Sequence, residues 1–237
     1  MKAVIGIDAG HGGSSSGTYS VNTVRDGLFE KDFALEMALL LEEKLLKNGF
    51  FVVMTRRDDR NPGTVSQRAA KMVESDADFA LSVHFNGFGK ESANGTEIYV
   101  PHSEIAAGIE AGLYDELGIL FKRREPFARA NSYYDRNRIF DKKLNLKTKK
   151  FSAVSSEPDY FGFVRDCWIG GVSADLLEIC FLTNPKDFEI YCENRERIAD
   201  IIAKSIVEAF GEEYIFSKAE KVPKAKPRIR RKFDVLN

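Results

Sequence analysis

The feature that most constrains this chain is its opening, a largely apolar run that ends abruptly at glycines. Val4–Ala9 is followed by Gly10, His11, Gly12 and Gly13. A run of this kind favours a strand that is buried on both faces. The glycines permit a sharp turn and leave space for an ion or a substrate beside the histidine. The alternatives are a phosphate-binding loop and a histidine that merely packs at a strand end. The role of His11 therefore depends on which residues lie near it.

Strand and helix patterns alternate along the rest of the chain to about residue 210. The expected strands cover residues 4–9, 51–56, 79–84, 95–100, 160–165 and 173–178. The expected helices cover residues 28–48, 65–74, 103–120, 187–194 and 195–210. This alternation predicts an α/β fold with an open, mostly parallel (mixed) twisted sheet of about six strands, flanked by helices on both faces.

Length and composition predict one domain with a short appendage. The chain has 237 residues, of which 43% are hydrophobic, so it can bury a substantial core. We expect a domain over residues 1–211 and a basic tail over residues 212–237. No apolar stretch reaches the roughly 18 residues of a membrane span. The first residues lead straight into a strand, so we also expect synthesis in the cytoplasm without a signal peptide.

Charge and cysteine content narrow the possible partners and sites. Residues 122–150 hold eleven Lys/Arg against three Asp/Glu, and residues 217–237 hold eight against two, although the net charge is −1. Two basic segments on an acidic body favour contact with an anionic polymer, and solvated charge is the alternative. We interpret residues 122–157 as a basic insertion in the domain.

The three cysteines show no Cys-x-x-Cys pair, which argues against a disulfide framework or a thiolate zinc site.

Four polar residues stand at the ends of separate predicted elements. His11 and His84 each follow a strand, Glu30 opens a helix and Glu178 ends a late strand. Because ligands bind beyond the carboxyl ends of the strands in open α/β sheets, we expect the two histidines to be neighbours. Two imidazoles and one carboxylate suit a zinc ion with an open fourth position. Glu178 would then be a separate acid/base group.

A series of short motifs occurs over about residues 3–210. They are Ile7–Gly13, Glu30–Asp32, Thr55-Arg56 with Asp59 and Arg68, Ser82–Asn86, Gly95–Tyr99 and Leu177–Pro185. In this order the motifs resemble the zinc-dependent N-acetylmuramoyl-L-alanine amidases of the third type, which occur among bacterial cell-wall hydrolases and phage endolysins. The resemblance implies that His11, Glu30 and His84 bind Zn²⁺ and that Glu178 is the catalytic glutamate.

The same resemblance implies a substrate and a place of action. The substrate would be peptidoglycan, cleaved at the amide between N-acetylmuramic acid and L-alanine of the stem peptide. From their charge, and not from the resemblance, the basic segments are expected to hold anionic wall polymers, and no nucleic acid is expected to bind. The enzyme would reach the wall through a holin, as a phage endolysin, or after mother-cell lysis, as an autolysin or sporulation enzyme. Another zinc amidohydrolase or peptidase acting on a wall peptide, and a non-catalytic wall- or nucleic-acid-binding module, are the rival hypotheses.

Some residues depart from the family pattern or flank the site. Ser14–Ser16 stand where the family has an acidic residue, and Cys180 stands where glycine is common. We expect Cys180 to be structural. Asp8 and Asn86 flank the histidines and are candidates to orient them. Two further polar residues are considered as ligands: Glu97 is expected instead to be a carboxylate that supports the site or the fold, and His102 a surface histidine rather than an extra ligand.

Overall fold

The computed structural model describes residues 2–19, 28–101, 108–121, 128–131, 139–142, 144–145, 150–151 and 161–216. The expectations for His102, for most of the insertion 122–157 and for residues 217–237 of the basic tail concern residues outside these ranges. The strands are β1 (Val4–Ala9), β2 (Phe51–Met54), β3 (Phe79–Asn86), β4 (Glu97–Tyr99), β5 (Ala128–Asn131), β6 (Ile139–Lys142), β7 (Leu144–Asn145), β8 (Lys150–Phe151) and β9 (Ser173–Phe181). The helices are α1 (Glu30–Lys47), α2 (Val65–Glu74), α3 (Ile109–Leu120), α4 (Gly162–Ile169) and α5 (Pro185–Ala209).

The central sheet is mixed and mostly parallel, as predicted. Its order is β2-β1-β3-β9-β4, in which only β4 runs antiparallel to its neighbour β9. Strands β5 and β6 form a separate antiparallel pair, as do β7 and β8. The central sheet therefore has five strands rather than about six.

The difference arises at residues 160–165, which were predicted to be a strand. Gly162–Ile169 is instead helix α4. Phe163 and Cys167, one helical turn apart, pack in one cluster with Ala69 and Met72 of α2. A short apolar run fits a strand or a buried helix equally well by periodicity, and packing against α2 decides for the helix here.

Helices cover both faces of the sheet, as predicted. The larger apolar cluster joins α1, α3 and α5 to one face, and the smaller cluster joins α2 and α4 to the other. The two helices predicted after residue 186 are present as the two parts of α5, which meet at a kink where Asn194 is non-helical (φ −123°, ψ 17°). Among the described residues, no helix is both long and apolar enough to cross a membrane.

Strand register brings the predicted polar residues to one edge of the sheet. Ala9 of β1 pairs with Val83 of β3, so His11 and His84 follow directly from paired positions. His84 in turn lies opposite Glu178 of β9. The carboxyl ends of three parallel strands therefore meet where the site was expected.

Candidate metal centre and active site

His11, Glu30 and His84 converge on one point. Glu30 Oε1 lies 3.1 Å from His11 Nε2 and 2.8 Å from His84 Nδ1. The two imidazole rings meet edge to face, with centroids 4.9 Å apart. One ligand atom from each of the three side chains lies within 4.8 Å of the others, and the described residues hold no second such group of His, Cys, Asp or Glu.

The backbone on either side of these residues explains how they meet. His11 follows β1 in the left-handed region, with φ 59°, which few residues other than glycine adopt. Gly10 lies against the His84 ring, and a Cβ atom there would come within 2.5–2.7 Å of three ring atoms. Glycine is therefore required at position 10, because any side chain would push His84 away from His11.

Glu30 is held by backbone donors as well as by the rings. Its Oε2 accepts a hydrogen bond from Thr18 N (2.8 Å), and its Oε1 accepts one from Phe85 N (3.1 Å). Burial by itself raises the pKa of Glu30, but the hydrogen bonds and charges of His11 and His84 outweigh burial, so the pKa is well below its usual range. The group is thus an ionised carboxylate facing two ring nitrogens.

This donor set fits a zinc ion. Ligands at about 2.0–2.1 Å from a tetrahedral ion lie roughly 3.3 Å from each other, close to the two separations measured at Glu30 Oε1. Three protein ligands leave the fourth position open, as in catalytic rather than structural zinc sites. The cluster is also only partly buried, since His11 exposes 27% of its side chain.

Ser15 is a functional contact that the sequence did not single out. Its Oγ lies 3.0 Å from His11 Nδ1, the ring nitrogen that points away from Glu30. A hydrogen bond at this nitrogen fixes the ring orientation and leaves Nε2 to face the cluster. A hydroxyl among Ser14–Ser16 therefore occupies a position beside the ring, but nothing in a run of three serines indicates which one turns inward.

Glu178 lies beside the cluster but outside it. Its Oε2 is shielded from solvent and has no hydrogen-bond partner among the described residues. Burial, followed by the charges of Glu30 and Glu97, raises the pKa of Glu178 well above its usual value. A carboxyl group in this environment is suited to holding and transferring a proton.

The flanking polar residues Asp8 and Asn86 form hydrogen bonds with side chains other than the two histidines among the described residues. The buried Asp8 carboxylate accepts hydrogen bonds from Thr55 Oγ1 (2.8 Å), Ser82 Oγ (2.6 Å) and Arg68. The side chain of Asn86 donates to Glu97 Oε2 (2.8 Å), which also accepts from Tyr99 Oη (2.7 Å). Within the described residues, Asp8 and Asn86 thus hydrogen-bond other partners rather than the rings that they were expected to orient.

A cavity of about 590 Å³ opens onto the cluster. His11, Glu30, His84 and Glu178 line one part of it, together with Arg68. The other walls come from the segments that precede and begin α2 and α4 and from β9, and include Asn61, Pro62, Gly63, Thr64, Val65, Phe161, Gly162, Phe163 and Leu176. The candidate ligands and the proton-holding group therefore face one space large enough for part of a substrate.

Comparison with known proteins identifies the family. The profile of the Amidase_3 family, N-acetylmuramoyl-L-alanine amidase, matches residues 5–209. The chain belongs to this family. The catalytic domain of CwlV, an N-acetylmuramoyl-L-alanine amidase from Bacillus (Paenibacillus) polymyxa var. colistinus, superposes with a TM-score of 0.63 at 25% identity, over 90% of this chain and 100% of that domain.

Two curated relatives are similar over part of their length. The chain is 43% identical to the uncharacterized protein YqiI of Bacillus subtilis over 93 residues, which are 39% of this chain and 42% of YqiI. It is 30% identical to the probable cell wall amidase LytH of Staphylococcus aureus over 160 residues, which are 68% of this chain and 48% of LytH. The aligned region thus spans less than half of either relative.

Cys180 is the remaining departure from the amidase pattern near this site. It is completely buried within the larger apolar cluster, and burial raises the pKa of its thiol well above the usual value. A neutral, enclosed thiol packs as a small apolar side chain and is a poor nucleophile. Its position agrees with the structural role expected from the sequence.

Proposed function

We propose that this amidase-family chain is a zinc-dependent hydrolase that cleaves the amide between N-acetylmuramic acid and L-alanine of the peptidoglycan stem peptide. The observation that carries the proposal is the convergence of His11, Glu30 and His84 beside Glu178 in a single cavity. Family membership supports the substrate, and the name of LytH, a probable cell wall amidase, supports the bacterial wall as the place of action.

His11, Glu30 and His84 would hold the zinc through Nε2, Oε1 and Nδ1. When bound, zinc lowers the pKa of water towards about 7 and polarises a carbonyl oxygen. The Ser15 contact at His11 Nδ1 would keep Nε2 available to the ion, and the two backbone donors to Glu30 hold its carboxylate in place.

Glu178 would move the proton. Its carboxylate accepts a proton from the attacking water, whose oxygen forms the new bond to the lactyl carbonyl carbon. The same group then donates the proton to the L-alanine nitrogen as the carbon–nitrogen bond breaks, because an amide nitrogen is a poor leaving group as an anion. The products are a lactyl carboxylate and a peptide with a new amino terminus.

Digestion of a purified muropeptide of known structure tests this proposal. We expect a free lactyl carboxylate and a new α-amino group on L-alanine, both identifiable by mass spectrometry, with turnover lost on chelation and restored by Zn²⁺. A new amino terminus further along the stem peptide would indicate a wall peptidase instead. Binding to walls without any cleavage would favour the non-catalytic module.

We further propose that residues 1–211 form the catalytic domain and that the basic tail, 212–237, holds the enzyme on the anionic wall. Residues 217–237 contain eight Lys/Arg against two Asp/Glu. Attraction between exposed charges is screened beyond about 8 Å at physiological ionic strength, so binding of this kind depends on salt. Action as a phage endolysin, or as an autolysin or sporulation enzyme, stays a prediction.

Deletion of residues 217–237 is expected to weaken binding to purified walls and to flatten its dependence on salt. Hydrolysis of a small soluble muropeptide should change little, because the catalytic side chains lie within residues 11–178. Co-sedimentation with walls across a salt series measures the first effect. A variant with the tail sequence scrambled, so that length and charge are kept, is the control and should bind like the unaltered chain. Unchanged wall binding after deletion would show that the tail is not the anchor.

A further inference from the structure

Arg56 joins two of the segments that carry the candidate zinc ligands. It follows β2, and its side chain is almost completely buried. Nε donates to Ala9 O (3.0 Å), and Nη2 donates to Gly10 O (2.8 Å) and to Lys31 O (2.7 Å). Gly10 directly precedes His11, and Lys31 directly follows Glu30. One planar group therefore binds the backbone beside both ligands.

Burial of this guanidinium requires compensation. A charged group removed from water destabilises the fold unless it is hydrogen-bonded or paired. Nη1 of Arg56 donates to Asp58 O (3.1 Å), so among the described residues its hydrogen bonds all go to backbone carbonyls. Burial lowers the pKa of Arg56, whereas the nearby charges of Asp8, Asp59 and Asp32 act in the opposite direction. The Arg56 guanidinium is thus removed from water and compensated by these hydrogen bonds, which in turn hold the backbone of the loops in place.

The backbone held by Arg56 is the strained part of the site. His11 has φ 59°, and the Gly10 carbonyl that accepts from Nη2 belongs to the peptide bond leading into it. A left-handed residue other than glycine is strained and persists where surrounding contacts enforce it. Gly12 lies against the arginine, and a Cβ atom there would come within 3.0 Å of Arg56 Cδ and Nε. The loop is therefore shaped around this side chain.

We propose that Arg56 is a positioning residue that sets the separation of His11 from Glu30 and thereby the affinity of the metal centre. Only a planar fork with several N–H donors reaches carbonyls on both segments at once. Lysine retains the positive charge but concentrates its donors at one atom, so it would hold one segment and release the other. This inference rests on the zinc centre of the proposed function.

Arg56→Lys is expected to bind Zn²⁺ about 10- to 100-fold more weakly, the usual effect of losing an outer contact to a metal site. The dissociation constant is measured by competition with a chelator of known affinity. Visible absorption after Co²⁺ substitution should shift as well, because the ligand geometry changes. Arg57→Lys is the matched control. Arg57 is adjacent and more exposed, and it pairs with Glu42 on α1, so its replacement should leave affinity and spectrum unaltered.

The outcomes separate this inference from the proposed function. If the unaltered chain binds no zinc, the proposed function fails. If the unaltered chain binds zinc and folded Arg56→Lys binds it equally well, the positioning role is overturned. Should Arg56→Lys not fold without metal, Arg56→Gln, which keeps two amide donors, takes its place under the same criterion. Failure of both variants to fold would assign Arg56 to general stability and would also overturn the inference.

Discussion

Replacement of His11 or His84 by alanine is expected to reduce bound zinc from one ion per chain to none and to abolish amide hydrolysis. Each histidine supplies one of the three atoms that meet at the cluster. With one imidazole removed, two protein ligands are left, fewer than the three on which catalytic zinc sites are built. Elemental analysis after dialysis measures the metal, and release of L-alanine amino termini measures activity.

The fold should largely survive these two substitutions. Neither histidine belongs to the apolar clusters that join the sheet to its helices, and a catalytic site of this type is supported by the sheet rather than the reverse. Thermal unfolding of the metal-free variants should therefore resemble that of the metal-free parent. His102→Ala is the matched control, since His102 is the third histidine of the chain and is predicted to lie on the surface. A histidine variant with full zinc content, or full activity after thorough chelation, would contradict the three-residue site.

Three of the four candidate site residues could be predicted because their positions follow from strand order. His11 follows β1 and His84 lies near the carboxyl end of β3, and the parallel register of the two strands places them side by side. Glu178 lies near the carboxyl end of β9, which pairs with β3 on the other side. Alternating strands and helices indicate a parallel sheet, and in such sheets ligands bind at the carboxyl ends of the strands. Recognition of the strands was therefore sufficient to place these residues at one edge.

The remaining features depend on contacts that leave no periodic signal. Arg56 binds backbone carbonyls, and any residue type supplies a carbonyl, so its partners could not be identified from residue identity. The contact between Ser15 and His11 depends on how a loop folds back after the left-handed histidine. The prediction of a strand at residues 160–165 was wrong because periodicity does not distinguish a short apolar strand from a short buried helix. The packing of α4 against α2 decides between them, and it cannot be read from the sequence.

Glu178→Gln is expected to keep zinc at one ion per chain and to lower the rate of hydrolysis about 10²–10⁴-fold, the usual contribution of general acid–base catalysis. Glutamine preserves the size of the side chain and removes the carboxylate that would accept the proton from water and pass it to the departing nitrogen. The substitution should also be tolerated by the metal-free fold. Burial and the charges of Glu30 and Glu97 disfavour negative charge on Glu178 and raise its pKa, so the uncharged glutamine should not destabilise this position.

Glu97→Gln is the matched control for this last experiment. Glu97 lies opposite Glu178 on β4 and contributes negative charge beside it, but its Oε2 is engaged by Asn86 and Tyr99. Glu97→Gln removes a negative charge beside Glu178 but not the proton-transfer group, so it should lower the rate of hydrolysis by less than about 10-fold. This is well below the 10²–10⁴-fold loss expected when proton transfer is removed. If Glu178→Gln loses zinc, Glu178 is a ligand and the set of three is incomplete. If zinc and activity both persist, another group moves the proton, because an amide side chain cannot accept it from water and return it to the departing nitrogen.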